Sequence, residues 1–187
     1  MPYQVKPWKL ISSVPALEEK WFPVRKDTVE LPSGRIVEDY FVWEAPHIVK
    51  VIPITKDGKF VVCRQYRHAL AKILTQFPAG AVDKGEALEQ GARRELQEET
   101  GYTCNELVHL GSFAPYATKM TGITDIFLAQ NATPNGEPQY DDQEETEVCL
   151  MTAAEIWKLI GQKEPHMIDL PAALALAEHY LQSTPQK

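Results

Sequence analysis

Cysteine is scarce in this chain. Cys63, Cys104 and Cys149 are its three thiols, an odd number without metal-site spacing. That excludes a fold built on paired disulfides and a cysteine-ligated zinc module. The reading is three reduced thiols in a cytoplasmic protein. Long apolar runs are missing too. No stretch approaches the roughly 18 residues of a membrane span, and no basic-then-apolar leader opens the chain. Positive charge is in short supply, with 19 Lys and Arg against 26 Asp and Glu and a net charge of −7. Nucleic-acid backbones need a basic footprint, so they are not the expected partner. A small polyphosphate stays open, because divalent cations can bridge it to an acidic surface. Internal repeats and low-complexity tracts are absent. The apolar share of 44% and charged share of 24% over 187 residues suit one globular domain, or one domain with an accessory element.

What the chain does have is an unusual stretch at 80–102, GAVDKGEALEQGARRELQEETGY. A helix is expected over 87–99, with Gly101 as its terminator. Glu95, Glu98 and Glu99 then sit at about 0°, −60° and +40° around the axis and share one face. Ala92 and Leu96 point elsewhere, toward a core. Like charges four apart cost an isolated helix roughly 0.2–0.5 kcal/mol per pair. Three acids on one face are therefore either a solvated surface, partly neutralised by Arg93 and Arg94, or a seat for a cation. Hard oxygen ligands suit Mg²⁺ or Mn²⁺.

The rest of the chain reads as a mixed α and β protein. Residues 1–46 look like a separate unit of antiparallel strands, with strand candidates at 8–11, 21–31 and 36–44 and a turn at 32–35. So small a sheet is marginal alone and must pack on something. A domain of 47–187 follows. Strands are expected at 47–55 and 60–66 around the Asp57-Gly58 turn, then at 73–78, 107–114, 122–130 and 147–151. Gly80 would let the backbone turn closely and free the Ala79 carbonyl as a metal ligand. Arg64 and Arg67 are either ordinary surface charge or phosphate contacts. A long loop is expected over 131–145. Thr152 and Glu155 form a capping box for a helix that stops at Gly161, and a last helix spans about 170–181. His109, His166 and His179 show no partner pattern.

The spacing from Gly80 to Tyr102 resembles the Nudix box of the Nudix hydrolases, G-x5-E-x7-R-E-U-x-E-E-x-G-U with U apolar. Gly80, Glu86, Arg94, Glu95, Leu96, Glu98, Glu99 and Gly101 occupy its fixed positions, and Tyr102 stands where the family usually has an aliphatic residue. The resemblance implies an α/β (α+β) Nudix fold, a mixed sheet sandwiched between helices. It implies two or three Mg²⁺ ions (Mn²⁺ possible) held by Glu95, Glu98, Glu99 and the Ala79 carbonyl. It also implies Glu86 and Arg94 as a supporting ion pair that orients the ligand, and hydrolysis at a pyrophosphate.

Outside the box, the N-terminal β unit, Gln65-Tyr66-Arg67, Phe77-Pro78-Ala79-Gly80 and the late acidic loop are similar to the ADP-ribose and nucleoside-diphosphate-sugar pyrophosphatase branch. That branch implies a nucleotide-sugar substrate and a homodimer with exchanged N-terminal strands. It implies a diphosphate contact from Arg67, with Arg64 beside it, and a general base among Asp142, Glu144 and Glu145, with Glu98 a further catalytic candidate. Trp43 suits base stacking or a dimer contact, and equally the packing of a small sheet. Pro115 corresponds to part of a Ser-Pro-Gly loop whose pattern is altered here, which leaves the sugar open. Two alternatives stay beside this reading. One is a Nudix module that binds a nucleotide sugar without cutting it. The other is a hydrolase of nucleoside triphosphates or dinucleoside polyphosphates.

Overall fold

The computed structural model describes residues 5–139 and 145–184. By its contacts the chain divides into two compact units. The first takes Met1–Pro46 and Ala114–Ile123, and the second His47–Phe113 and Thr124–Lys187. The loop that carries Pro115 therefore groups with the N-terminal strands.

The first unit is a three-stranded antiparallel sheet of β1 (Lys9–Leu17), β2 (Val24–Glu30) and β3 (Ile36–Trp43), in the order β1-β2-β3. β1 is longer than its apolar start at 8–11 suggests. It is an edge strand, where Pro15 costs no ladder bond on the open side, and the register shifts between Pro15 and Leu17. Loop 114–123 is tied to the end of β3 by two backbone bonds, from Trp43 N to Lys119 O (2.8 Å) and from Thr121 N to Trp43 O (3.0 Å). The Tyr40 hydroxyl donates to the Thr118 carbonyl, and the Lys119 ammonium lies 3.8 Å from the centre of the Tyr40 ring.

The second unit is an eight-stranded mixed sheet with helices on both faces. Its main path is β11 (Thr146–Met151), β5 (Phe60–Arg67), β4 (Ile48–Thr55), β10 (Thr124–Pro134) and β8 (Tyr102–Thr103). β6 (Lys72–Gln76) pairs with β5, β7 (Ala79–Ala81) with β4, and β9 (Glu106–Phe113) with β10. β4 and β10 run parallel, Ile48 opposite Thr124 through Ile54 opposite Gln130, and the remaining pairs are antiparallel. Strand alternation sends Val49 and Val51 of β4, with Phe127 and Ala129 of β10, to one face. There they meet Ala92 and Leu96 of α1 (Leu88–Thr100). Ile52, Ile126 and Leu128 face the other way. They pack on Ile156 of α2 (Ala153–Ile160) and on Leu170, Ala173, Leu174 and Ala177 of α3 (Asp169–Ser183).

Local chemistry accounts for the element ends. Thr152 accepts from Glu155 N while Glu155 accepts from Thr152 N, which closes the capping box of α2. Gly101 ends α1 at φ 70°. Lys50 is buried in β4 and reaches Asp169 in the first turn of α3 at 2.6 Å, so a charge pair pins that helix start to the sheet. Residues 131–134, expected in a loop, continue β10 instead. Asn131 takes a left-handed conformation (φ 53°), and the register shifts between Gln130 and Ala132. This bulge lets the strand go on to pair with β8. Among the described residues, no helix is long and apolar enough to cross a membrane.

Candidate metal and phosphate site

α1 is built to hold carboxylates on one side. Its apolar side is fixed by Ala92 and Leu96, neither more than 1% exposed. That places Glu95 and Glu99 at the sheet margin, where both are buried (8% and 9% exposed), while Glu98 stays half exposed. Buried acids at that spacing need polar company. Ala79 and Gly80 of β7 supply part of it. Glu99 Oε2 accepts from Ala79 N at 3.3 Å. The Glu95 carboxyl lies directly over Gly80, where a Cβ would overlap it.

The sequence suggested that Gly80 is needed for a close turn. The structure gives a different reason. Ala79–Ala81 is a short strand paired to β4, Gly80 opposite Val49, and Gly80 is not among the positive-φ glycines. It is glycine because the Glu95 carboxyl occupies the side-chain position.

Arg94 gathers the carboxylates. Its Nη1 donates to Glu95 Oε1 (2.6 Å) and Glu98 Oε2 (3.0 Å). Its Nε and Nη2 fork onto the two oxygens of Glu86, each at 3.0 Å, and Nη2 also reaches Ala81 O at 2.9 Å. Glu86 accepts a further bond from Asp83 N. The Arg94 guanidinium, followed by that amide, pulls the Glu86 carboxyl down to about 2. Arg94 is pushed upward, first by Glu86 and then by Glu95 and Glu98 against the effect of burial. Gly91, which costs the helix about 1 kcal/mol relative to Ala, has its reason here as well. A Cβ at that position would come within 3.0 Å of Glu86 Oε2.

The structure thus brings together Ala79, Glu86, Arg94, Glu95, Glu98 and Glu99. Among the described residues, no three His, Cys, Asp or Glu side chains already form a metal cage. Glu86, Glu95 and Glu98 are instead collected on one guanidinium, while Glu99 sits against the Ala79 amide. Their chemistry fits a hard divalent cation. The donors are all oxygen, and Glu95 and Glu98 are already close enough to share one Arg94 nitrogen.

Arg67 and Arg64 part company. Cys63 Sγ lies 4.0 Å from the Glu99 carbonyl oxygen, so the row Cys63, Gln65, Arg67 faces α1. Arg64 is not brought to the carboxylates. By strand alternation it projects from the other face and pairs with Glu147 of β11 at 2.7 Å. Arg67 lies on Gln76, with Nε at 3.2 Å and Nη2 at 2.5 Å from Oε1. Gln76 in turn donates to Gln65 Oε1 at 3.2 Å. Both glutamines are buried, at 2% and 7% exposed.

In the first unit, the Trp43 ring stacks on Phe22 at 4.8 Å, and its buried Nε1 has no hydrogen-bond partner among the described residues. Pro115 is exposed in loop 114–123. Of the candidate bases, Glu145 is exposed just before β11, while Asp142 and Glu144 lie outside the described residues.

Asp125 is a polar centre that the sequence did not signal. It is 2% exposed, and it accepts from Ser112 Oγ (2.6 Å) and pairs with His109 Nε2 and His47 Nε2 (both 2.5 Å). Burial raises its pKa, but the bonds from Ser112, His47 and His109 outweigh that and leave it lowered. β9 supplies His109 and Ser112, β10 supplies Asp125, and His47 stands just before β4, too scattered for a pattern along the chain.

Comparison with known proteins places these features. Residues 46–173 match the NUDIX domain family, and residues 8–43 match the nucleoside diphosphate sugar hydrolase N-terminal domain. An ADP-ribose pyrophosphatase of Bacillus subtilis (strain 168) is 34% identical over 157 residues, which cover 83% of this chain and 82% of that protein. A methanol dehydrogenase activator of Bacillus methanolicus is equally similar, 34% identical over 157 residues with the same coverage. A crystal structure described as an ADP compounds hydrolase superposes with a TM-score of 0.85 over 96% of this chain and 97% of that one. At 21% sequence identity it supports the fold alone.

Proposed function

The chain belongs to the Nudix hydrolase family, matched over residues 46–173, and on that footing we propose that it hydrolyses the pyrophosphate bond of ADP-ribose or a related nucleoside diphosphate sugar. The products are a nucleoside monophosphate and a sugar phosphate. The observation that carries this reading is the seating of Glu95 and Glu99 against Ala79 and Gly80, with Arg94 binding Glu95, Glu98 and Glu86 at one edge. The match of residues 8–43 to the N-terminal domain of sugar-nucleotide hydrolases narrows the substrate class.

Glu95, Glu98, Glu99 and the Ala79 carbonyl would hold Mg²⁺, as two or three ions. Bound there, Mg²⁺ offsets phosphate charge and acidifies a coordinated water. Arg94 and Glu86 keep the helix acids in register. Glu98, the most exposed of the three, keeps an oxygen in reach of solvent. Arg67 meets a diphosphate oxygen from the α1 side of the sheet. A carboxylate from the late loop accepts the proton of the attacking water, with Glu144 and Glu145 favoured over Asp142. Trp43 is a candidate for base stacking or for the dimer contact, and Pro115 marks the loop that bears on sugar preference.

We further place the protein in the cytoplasm, in keeping with its three free cysteines, and assign it a second copy of itself as partner. The first unit displays Trp8, Leu10, Ile11, Val14, Phe22 and Phe41 with 46–58% of each exposed, apolar surface suited to burial against a second copy.

The test is product identification. The protein with Mg²⁺ is offered ADP-ribose, ADP-glucose, GDP-mannose, UDP-glucose, NADH and dGTP in parallel. AMP from ADP-ribose, or nucleoside monophosphates from several sugar nucleotides, is the expected result. Turnover of dGTP alone, or tight binding with no turnover, would refute the assignment.

A further inference from the structure

Gln76 is a neutral, buried side chain at the last position of β6, where the sheet would otherwise hold an apolar residue. Burying an amide is costly unless its groups are bonded. Its oxygen takes both Nε and Nη2 of Arg67, and its nitrogen donates to Gln65 Oε1. The three residues form a chain on the face of the sheet that carries α1.

The direction of that chain matters. Arg67 lies at the end of β5, opposite Lys72, while Gln76 lies at the other end of β6, opposite Cys63. The Arg67 side chain therefore runs back along the strands. Its guanidinium rests on the residue three positions before Ala79, beside which Glu99 is seated. The other arginines of the second unit, Arg64, Arg93 and Arg94, each pair with a carboxylate. Arg67 has no carboxylate partner among the described residues. A neutral acceptor holds it in place, and no described carboxylate cancels its charge.

We propose that Gln76, backed by Gln65, is a positioning residue that turns Arg67 back along β5 and β6 and presents its guanidinium to a diphosphate bound at the α1 carboxylates. This rests on the reading of the site as a nucleoside-diphosphate-sugar hydrolase. Gln76 touches no reacting atom. It fixes the direction from which positive charge reaches the substrate. Unheld, an arginine at a strand end points into solvent and must be ordered again each time substrate binds.

The experiment compares Gln76→Leu, Gln76→Glu, Arg67→Ala and the Gln76→Leu/Arg67→Ala double variant. Steady-state kinetics with the best substrate is paired with the ¹⁵N–¹H signal of the Arg67 Nε–H in the substrate-free protein. Gln76→Leu should raise KM about tenfold, the scale of one charge-assisted bond, with kcat changed less than about threefold. It should also average or broaden the Arg67 Nε–H signal. Gln76→Glu keeps an acceptor in place, with Gln65 able to turn its amide toward it, so the Arg67 Nε–H signal should stay near wild type while KM still rises, because the carboxylate cancels the charge that the glutamine leaves available. The double variant should bind no worse than Arg67→Ala alone.

If Arg67→Ala raises KM while Gln76→Leu leaves KM and the signal unchanged, or if the two effects multiply, the positioning role is overturned and the hydrolase reading stands. If the Arg67 signal responds to Gln76→Leu but Arg67→Ala binds nucleotide sugars like wild type, the hold is real. The diphosphate contact then fails, and the proposal with it.

Discussion

Gly80→Ala should separate catalysis from folding. An ideal Cβ at Gly80 falls on the Glu95 carboxyl, with Cδ and both oxygens as its nearest atoms. The β7 backbone cannot retreat easily, because Ala79–Ala81 is paired to the central strand β4. The Glu95 side chain must swing instead, and it is a flexible tip rather than backbone. Moving it breaks its 2.6 Å bond to Arg94, whose guanidinium still keeps Glu86 and Glu98. A bond to a charged group contributes roughly 1.5–3 kcal/mol, and the retained partners reduce the loss to about 1–2 kcal/mol. At roughly 2–4 °C per kcal/mol for a chain of this size, Tm should fall by about 2–8 °C. Activity should suffer more. Displacing one ligand of the charge-stabilising site costs about 100-fold or more in kcat, near 2.7 kcal/mol of barrier. Differential scanning calorimetry and product formation at saturating Mg²⁺ measure the two effects on one sample. A variant with kcat within about threefold of wild type would refute the placement of Glu95 at the reacting centre. A Tm loss beyond about 15 °C would show that the side chain cannot move aside.

Glu99→Gln should lower kcat at least about 100-fold with little change in Tm, since it alters one charge and keeps the side-chain volume; more than a tenth of wild-type rate at saturating Mg²⁺ would remove the metal role. Gly101→Ala should cost roughly 2–4 kcal/mol in urea unfolding, because φ 70° disfavours a side chain and a Cβ would press on the Gly136 carbonyl and Pro138 N; a change under about 0.5 kcal/mol would contradict that contact. Asp125 has a lowered pKa in the folded protein, so its contribution is full above the ordinary Asp value near 3.9 and is lost as pH falls below it. The stability gap between wild type and Asp125→Asn should therefore shrink as pH falls below about 4, and a gap that stays constant through acid titration would rule out the linkage. Light scattering should report a dimer, and a fully active monomer would exclude strand exchange.

The acid helix was legible because its signals are local. Carboxylate spacing, the Gly101 stop and the Thr152–Glu155 box each lie within one or two turns of chain. What stayed hidden depends on distance or brevity. β7 and β8 have three and two residues, too short to show an alternation. Asp125 takes its partners from 13, 16 and 78 positions away. Gln65 and Gln76 look like surface polar residues, and only their burial beside Arg67 gives them a role. Arg64 and Arg67 looked equivalent until strand alternation put them on opposite faces. Residues 131–134 carried loop chemistry because the left-handed bulge at Asn131 uses the same residue types as a turn.

The parallel pairing of β4 with β10 sets the order of events during synthesis. Between Thr55 and Thr124 lie about 70 residues, so closing this central ladder carries a loop entropy that grows as roughly 1.5RT ln n. α1 and β7, with Glu86, Arg94 and the carboxylates of Glu95, Glu98 and Glu99, are threaded through that interval. A nascent chain that has emerged only as far as β9 holds all the acidic residues of the helix but lacks half of the apolar wall, Phe127 and Ala129, against which α1 is set. Affinity for divalent ions should therefore arrive late and at once, when β10 docks. A fragment that ends before β10 should accordingly bind divalent ions weakly.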